Sequence, residues 1–158
     1  MQALSNAASN LAIKYRTESL PVHARREWMR EMIAREYTKI EVNAPSNVQL
    51  LDETTIYPWE QLRLSTVRSN GIQLDRLKME PYSESHDNYL AVLLLSGRYS
   101  LEQDGREVFL KSGEMAVYDA TKPHRINCPE AFSKILVTIP RHVMRERLLA
   151  DIVPIDEI

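Results

Sequence analysis

Aromatic side chains are the first residues of this sequence that could do chemistry, because they suit a site for an aromatic ligand. Trp59 and Tyr57 stand together in "YPWEQL", and Tyr82 and Tyr89 follow further along the chain. A mostly apolar pocket with a few polar groups is the usual site for a small organic molecule. Large aromatic side chains also seal the ends of β-barrels, and this structural role is the more common one.

Two arginines could supply the charge that an acidic ligand needs. Arg68 and Arg76 lie on neighbouring candidate strands, and either could pair with an acid group if its side chain faced inward. Exposure to solvent is the commoner fate of an arginine. The single cysteine, Cys128, precedes Pro129 and has no base beside it in the sequence, so we expect an unreactive thiol.

Catalytic motifs do not stand out in the sequence. No nucleophile is set beside a base, and there is no H-E-x-x-H motif, no P-loop and no paired-carboxylate motif. None of Ser65, Ser69 and Ser96 has both flanking glycines of a nucleophile elbow. We therefore expect a chain that is not an enzyme and that uses no cofactor.

Length and composition are those of one ordinary domain. The chain has 158 residues, of which 44% are apolar and 27% charged, as in a typical globular domain. The net charge of −2 argues against a chain whose main task is to coat nucleic acid. A single cysteine suits a reducing cytoplasm. No apolar run approaches the roughly 18 residues of a membrane span, and the N-terminus does not resemble a signal peptide.

Amphipathic segments stand at both ends of the chain. Residues 20–37, "LPVHARREWMREMIAREY", place apolar residues at helical spacing and put Arg25 on the charged side. We expect this helix to pack on the domain with its charged face in solvent, and partner binding is the alternative. Helical spacing returns at residues 140–152, and residues 1–19 predict an arm or a short helix.

Between these helices the apolar period changes from helical to alternating. About nine short segments, separated by turn signals, predict a closed barrel or a sandwich. Gly97, Gly105 and Gly113 recur every eight residues, which fits strands of about six residues joined by two-residue turns. Residues 89–95, "YLAVLLL", are apolar on both faces, so we expect the barrel interior to cover one face and a helix the other.

These turn and core residues together resemble a known family. The stretch "LSGRYSLEQDGREVFLKSGEMAVYDATKPHRI", followed by "SKILVTIPRHVMRERL", resembles the N-terminal sensing domain of AraC/XylS-type transcription regulators. The shared pattern is an apolar strand ending in "SG", then "QDGR", then "L..G...L.D...P", and then an apolar strand that ends in proline before a short helix. The stretch "LRLSTVRSNGIQLDR" is similar to the corresponding part of the regulator of phenylethylamine breakdown in that family.

The resemblance implies a mainly β fold, a cupin-like β-barrel (double-stranded β-helix or jelly roll) with flanking α-helices at both ends. It also implies a small effector inside the barrel and helices that join two subunits into a homodimer. DNA would be bound only through a C-terminal domain of two helix-turn-helix units, which is absent from this sequence. Residues 20–152 would form the sensing and dimerisation domain and residues 153–158 a tail, and the location would be cytoplasmic, without membrane contact.

Site residues also follow from the resemblance. The position of His124 faces inward in the family, and side-chain alternation brings Ile126 in with it; the alternative is a histidine at the barrel rim bonded to backbone. The resemblance places the face of the last strand that carries Ser133, Ile135 and Val137 inside. The expected ligand-binding residues are therefore His124, Ile126, Ile135, Val137, Ser133, Tyr89, Tyr82, Trp59 and Arg68.

A metal site is the alternative use of the same barrel. Metal-binding cupins carry an H-x-H pair, a glutamate and a later histidine, and these positions fall on Glu84, His86, Leu90 and His124. Glu84, His86 and His124 could form a two-histidine, one-carboxylate iron site. The metal-free barrel is preferred, because Leu90 is apolar and "SESHDN" has the composition of a solvated loop.

The sequence therefore predicts the effector-binding and dimerisation domain of an AraC-type transcription regulator. Its effector would be a small aromatic or carboxylated metabolite. A small metal-dependent cupin enzyme, such as a dioxygenase or isomerase, is the first alternative. A dimerisation module whose barrel is filled by its own side chains is the second.

Overall fold

The fold is that of a computed structural model, which describes residues 11–44, 49–78 and 87–149. Within these ranges the chain forms eleven strands and a helix at each end of the domain. Helix α1 is Arg25–Glu36, after a 3-10 turn, and helix α2 is Arg141–Val143, which continues as a π-helical segment. The strands are β1 (Ile13–Arg16), β2 (Glu41–Asn43), β3 (Asp52–Trp59), β4 (Leu62–Ser69), β5 (Ile72–Arg76), β6 (Asn88–Ser96), β7 (Tyr99–Gln103), β8 (Arg106–Leu110), β9 (Met115–Asp119), β10 (His124–Cys128) and β11 (Phe132–Pro140).

The strands form two antiparallel sheets. One sheet has the order β1-β3-β4-β11-β6-β9, and the other has the order β2-β5-β10-β7-β8. From β4 onward the chain passes repeatedly from one sheet to the other, which is the winding of a jelly roll. The buried core draws residues from both sheets. The predicted mainly β, cupin-like barrel with helices at both ends is confirmed.

Glycine turns set the lengths of the central strands. Asp104 and Gly105 both have positive φ, 54° and 75°, in the two-residue turn that joins β7 to β8, as a type I′ hairpin requires. Gly97 has a φ of 91° where the chain leaves β6 for the other sheet. A Cβ there would lie 2.6 Å from the backbone oxygen of Ala131, so only glycine fits without a shift.

Helix α1 packs against the barrel through Met29 and Met32, which are both buried. Arg25, expected on the exposed side, is buried as well, so that expectation is wrong. The reason is local, because the chain around the helix leaves carbonyl oxygens without strand or helix partners, and buried carbonyls need donors. The Arg25 guanidinium donates to three of them, on Glu18, Leu20 and Leu50.

The alternation of apolar residues in the sequence did not predict two of the strands. Strand β1 lies within the predicted arm or short helix, and it pairs Ile13 with Ile56 of β3; residues 1–10 lie outside the described residues. Strand β3 begins "DETT" and contains Pro58, so its polar start and its proline hide the alternation that marks a strand. It nevertheless pairs along its whole length with β4.

Strand β6 is apolar on both faces, and the structure covers its inner face fully and its outer face in part. Leu90, Val92 and Leu94 point into the core, as their burial shows. Ala91, on the other face, belongs to a small outer cluster with Ile139 and with two residues of the C-terminal helical segment, Val143 and Met144. Of the helices that the structure describes, none is long and apolar enough to cross a membrane.

Candidate functional site

A cavity of about 60 Å³ lies inside the barrel, between the two sheets and under helix α1. One water needs roughly 10–15 Å³ of such space, so the cavity has room for several waters or a small organic group. Met29 and Met32 of α1 close one side. The rest of its apolar wall comes from strands of both sheets, including Val67, Ile72, Leu74, Leu90, Ile126, Phe132 and Leu136.

Besides two tyrosines, three titratable side chains interrupt this apolar wall. His124 comes from β10, Asp52 from β3 and Lys134 from β11, and each is less than a tenth exposed. Buried charges normally have a partner or change their protonation state. The burial and the hydrogen bonds of each group therefore determine its protonation state, and with it the net charge of the cavity.

His124 is the neutral member of this set. Its Nδ1 lies 2.9 Å from the carbonyl oxygen of Lys122, so Nδ1 carries the proton, because a carbonyl only accepts. Its ring lies 4.9 Å from that of Tyr118, centroid to centroid. Burial lowers the pKa of His124 to about 4. The structure thus combines both expectations for His124, since it is bonded to backbone and also lines the cavity.

Asp52 and Lys134 are the two groups that could carry charge. Burial raises the pKa of Asp52 to about 6, and the hydroxyl of Thr54, which donates to the carboxylate at 2.8 Å, only partly opposes this. Burial lowers the pKa of Lys134. The Lys134 ammonium lies over two aromatic rings, 5.2 Å from the centroid of Tyr99 and 5.7 Å from that of Phe132.

The structure brings two of the predicted site residues to the cavity, His124 and Ile126. The orientation expected for Ser133, Ile135 and Val137 is wrong, because the alternate residues of β11 line the cavity instead. The physical reason is the outer cluster under α2, against which Val137 packs. A helix over that face turns the opposite face of the strand toward the core.

Three more predicted residues lie outside the cavity. Tyr89 is on the outer face, where its hydroxyl accepts a bond from Arg141. Trp59 is 53% exposed at the turn between β3 and β4, and Arg68 is exposed on β4. In each case strand alternation or the end of a strand directs the side chain away from the core. These positions do not form one site with His124.

The metal alternative depends on two residues besides His124. Glu84 and His86, like Tyr82, lie outside the described residues. Among residues 11–44, 49–78 and 87–149, no group of three histidine, cysteine or carboxylate side chains could hold a metal ion.

Sequence reasoning missed Asp52, Lys134 and the methionines of α1. A lysine in an alternating strand ordinarily faces solvent, so Lys134 was expected on the outer face with Leu136. One signal was available, because β11 is apolar at alternate positions on both faces. A strand that is apolar on both faces packs against other parts of the protein on each side, so a lysine in it is buried more often than one in a strand with a solvent face.

A polar cluster at the start of α2 lies directly behind the cavity wall. The Arg141 guanidinium donates to both carboxylate oxygens of Asp119 at 2.9 Å, to Asp87 at 2.6 Å and to the Tyr89 hydroxyl at 2.8 Å. Asp119 follows Tyr118, which lines the cavity. One short strand segment therefore connects the cavity with the first turn of α2.

Residues 29–154, most of the chain, match the family described as the AraC-binding-like domain. The chain belongs to this family. The predicted kinship with the sensing domains of AraC-type regulators is thereby confirmed. The cavity described above is thus the interior of an AraC-binding-like domain.

The chain is similar to two longer proteins. It is 30% identical over 96 residues to the transcriptional activator NphR of a Rhodococcus species, which covers 61% of this chain and 29% of NphR. It is 21% identical over 128 residues to an uncharacterised protein from the nit 5′ region of Bacillus sp. strain OxB-1, covering 81% of this chain and 50% of that protein. The chain spans half or less of the length of these relatives.

A solved structure shows the same fold. The crystal structure of the AraC-like transcriptional activator CuxR superposes with a TM-score of 0.67 at 22% identity. The match covers 84% of this chain and 48% of that of CuxR. The AraC-binding-like domain of this chain therefore has the fold of part of a known activator.

Proposed function

We propose that this AraC-binding-like domain is the effector-binding and dimerisation unit of a transcription regulator, and that a small organic metabolite binds in its barrel. One observation carries the proposal, namely an apolar cavity that holds Asp52, Lys134 and His124. Polar groups in a core are destabilising unless they are paired. A barrel that served only as a scaffold would gain stability from apolar residues at these positions.

The relatives support a regulatory role. NphR and CuxR are both named as transcriptional activators, and both are longer than the part that this chain matches. We assign sensing to this domain, DNA contact to another part of such a regulator and the site of action to the cytoplasm. We assign no catalytic step, since burial raises the pKa of the Cys128 thiol to about 11 and the Nδ1 proton of His124 is held by a carbonyl.

A bound effector would act on both helices through their existing contacts with the cavity wall. Met29 and Met32 carry α1 over the cavity, and methionine side chains adapt readily to a new neighbour. Tyr118 lines the cavity, and the next residue, Asp119, holds Arg141 at the start of α2. An effector that binds one arrangement of these helices more tightly shifts the population toward it, and we propose that this shift changes how two subunits pair.

Ligand-induced stabilisation tests the proposal. We expect at least one small aromatic or carboxylated compound to raise the melting temperature of the chain, by roughly 5–10 °C at a hundred times its Kd. Leu136→Phe fills the cavity from β11 and should abolish this shift. Ile135→Phe is the matched control, because Ile135, the residue before Leu136, lies on the outer face of the strand, and it should retain the shift in melting temperature.

Sedimentation of the chain tests the dimer, and the effector should change the dimerisation constant. The proposal fails if the compounds that stabilise the wild type stabilise Leu136→Phe equally, because the binding site would then lie outside the barrel. It also fails if a divalent metal stabilises the chain and no organic compound does.

A further inference from the structure

The strongest unexplained feature of the cavity is the side chain of Lys134. It lies on the middle strand of the larger sheet, where it pairs with Val67 of β4 and Leu94 of β6. Only 5% of its surface is exposed. Lysine is almost never buried to this degree unless its ammonium has a partner.

No such partner is present in the described part of the chain. The Lys134 ammonium forms no hydrogen bond and no ion pair within 4 Å there, and its recorded interactions are with the rings of Tyr99 and Phe132. Asp52 faces the same cavity, but its carboxylate lies beyond ion-pair distance and already accepts a hydrogen bond from Thr54. Burial also raises the pKa of Asp52 to about 6, so its carboxyl group is protonated below that pH.

A cation between two aromatic rings in a mostly apolar wall suits an anion that carries an apolar body. The ammonium has three donors, and hydrogen bonds between charged partners are about twice as strong as neutral ones. Cation–π contacts contribute less and leave those donors unused. A ligand acid group would satisfy them, and its apolar part would contact the side chains that line the rest of the cavity.

We propose that Lys134 anchors the acid group of a small organic anion, a carboxylate or a phenolate, whose apolar part lies against the methionines of α1. This inference rests on the proposed function, because it requires that the barrel binds the effector. The cavity of about 60 Å³ accepts a few heavy atoms as it stands. A larger anion fits if Met29 and Met32 change rotamer, and α1 would thereby report the size of the ligand.

Matched pairs of ligands separate the role of charge from that of shape. Benzoate with benzamide, phenylacetate with phenylacetamide, and propionate with propionamide differ in charge while keeping nearly the same shape. Calorimetric titration of the wild-type chain with each pair should show an acid that binds about 10- to 100-fold more tightly than its amide. This comparison needs no variant, so it does not depend on how a substitution affects folding.

Two variants locate the charge effect. Lys134→Met keeps the length of the side chain and removes the charge, so the acid should lose its advantage while the amide keeps its Kd. Lys111→Met, at an exposed position, is the control and should bind as the wild type does. The inference is overturned if acid and amide bind equally to the wild type, or if Lys134→Met retains the acid preference.

The two proposals fail in different ways. If ligands of either charge bind and Leu136→Phe blocks them, but charge has no effect, the barrel is a sensor and Lys134 is not its anchor. If neither member of any pair binds, or if binding survives Leu136→Phe, the proposed function itself is overturned, and the assignment of Lys134 falls with it.

Discussion

The pH dependence of stability offers a sharp test of the cavity, because two of its groups should act in opposite directions. His124 and Asp52 face the same space from opposite sheets. Burial disfavours the charged form of each, so the pKa of His124 falls from 6.5 to about 4 and that of Asp52 rises from 3.8 to about 6.

The sign follows from proton binding in the folded and unfolded states. Between pH 6.5 and 4 the unfolded chain protonates His124 and the folded chain does not, so the free energy of unfolding falls as the pH is lowered. At about 1.4 kcal/mol for each pH unit, the loss is about 3 kcal/mol. Asp52 does the reverse, because the folded chain holds its proton more tightly, and it adds about 3 kcal/mol between pH 6 and 4.

In the wild type these two contributions largely cancel, and single substitutions reveal them. From pH 7 to pH 4, Asp52→Asn should lose about 3 kcal/mol of stability relative to the wild type, because the gain from Asp52 is missing. His124→Gln should gain a similar amount relative to the wild type over the same range. Glu107→Gln, at an exposed position on β8, is the control and should show the same pH dependence of stability as the wild type.

Urea unfolding at pH 7, 6, 5 and 4 measures these differences, and unchanged m-values show that the denatured state is comparable. Comparison with the wild type at each pH cancels the shared groups that do not interact electrostatically with the substituted side chain. The reasoning is refuted if the stability gap between the wild type and Asp52→Asn stays constant, or if it moves in the other direction. A constant gap would mean that water reaches Asp52 in the folded chain, and a gap of the opposite sign would mean that a positive charge or hydrogen bonds stabilise its ionised form.

Two further substitutions test the elements around the cavity, both by urea unfolding at pH 7. Arg141→Met should destabilise the chain by about 2–3 kcal/mol, because it leaves the nearly buried Asp119 unpaired; Arg98→Met, in an exposed ion pair, should cost less than about 1 kcal/mol. Gly97→Ala should cost more than about 2 kcal/mol, since it adds a steric clash to backbone strain. Gly105→Ala meets no neighbour and should cost only about 1 kcal/mol. Equal losses within either pair would contradict the structure.

The family and the barrel could be predicted from the sequence because their signals are local. Alternation of apolar residues identifies a strand wherever it lies, and the positive φ of Asp104 and Gly105 is a requirement of their own turn. Strand β3 was not predicted for an equally local reason, because Asp52 and Pro58 interrupt its alternation of apolar residues. Inward placement of His124 and Ile126 was also predicted, and their part in ligand binding remains a prediction.

The sequence by itself determined that β11 is a two-faced strand, because side chains alternate along any extended chain. Only the tertiary structure decided which face turns inward. Alternation has two equivalent solutions, and the packing of α2 on Val137 selects the one that buries Lys134. The same packing leaves Ile135 on the outer face of the strand. The chemistry of the cavity is therefore a property of the assembled barrel, whereas the barrel itself can be read from its strands and turns.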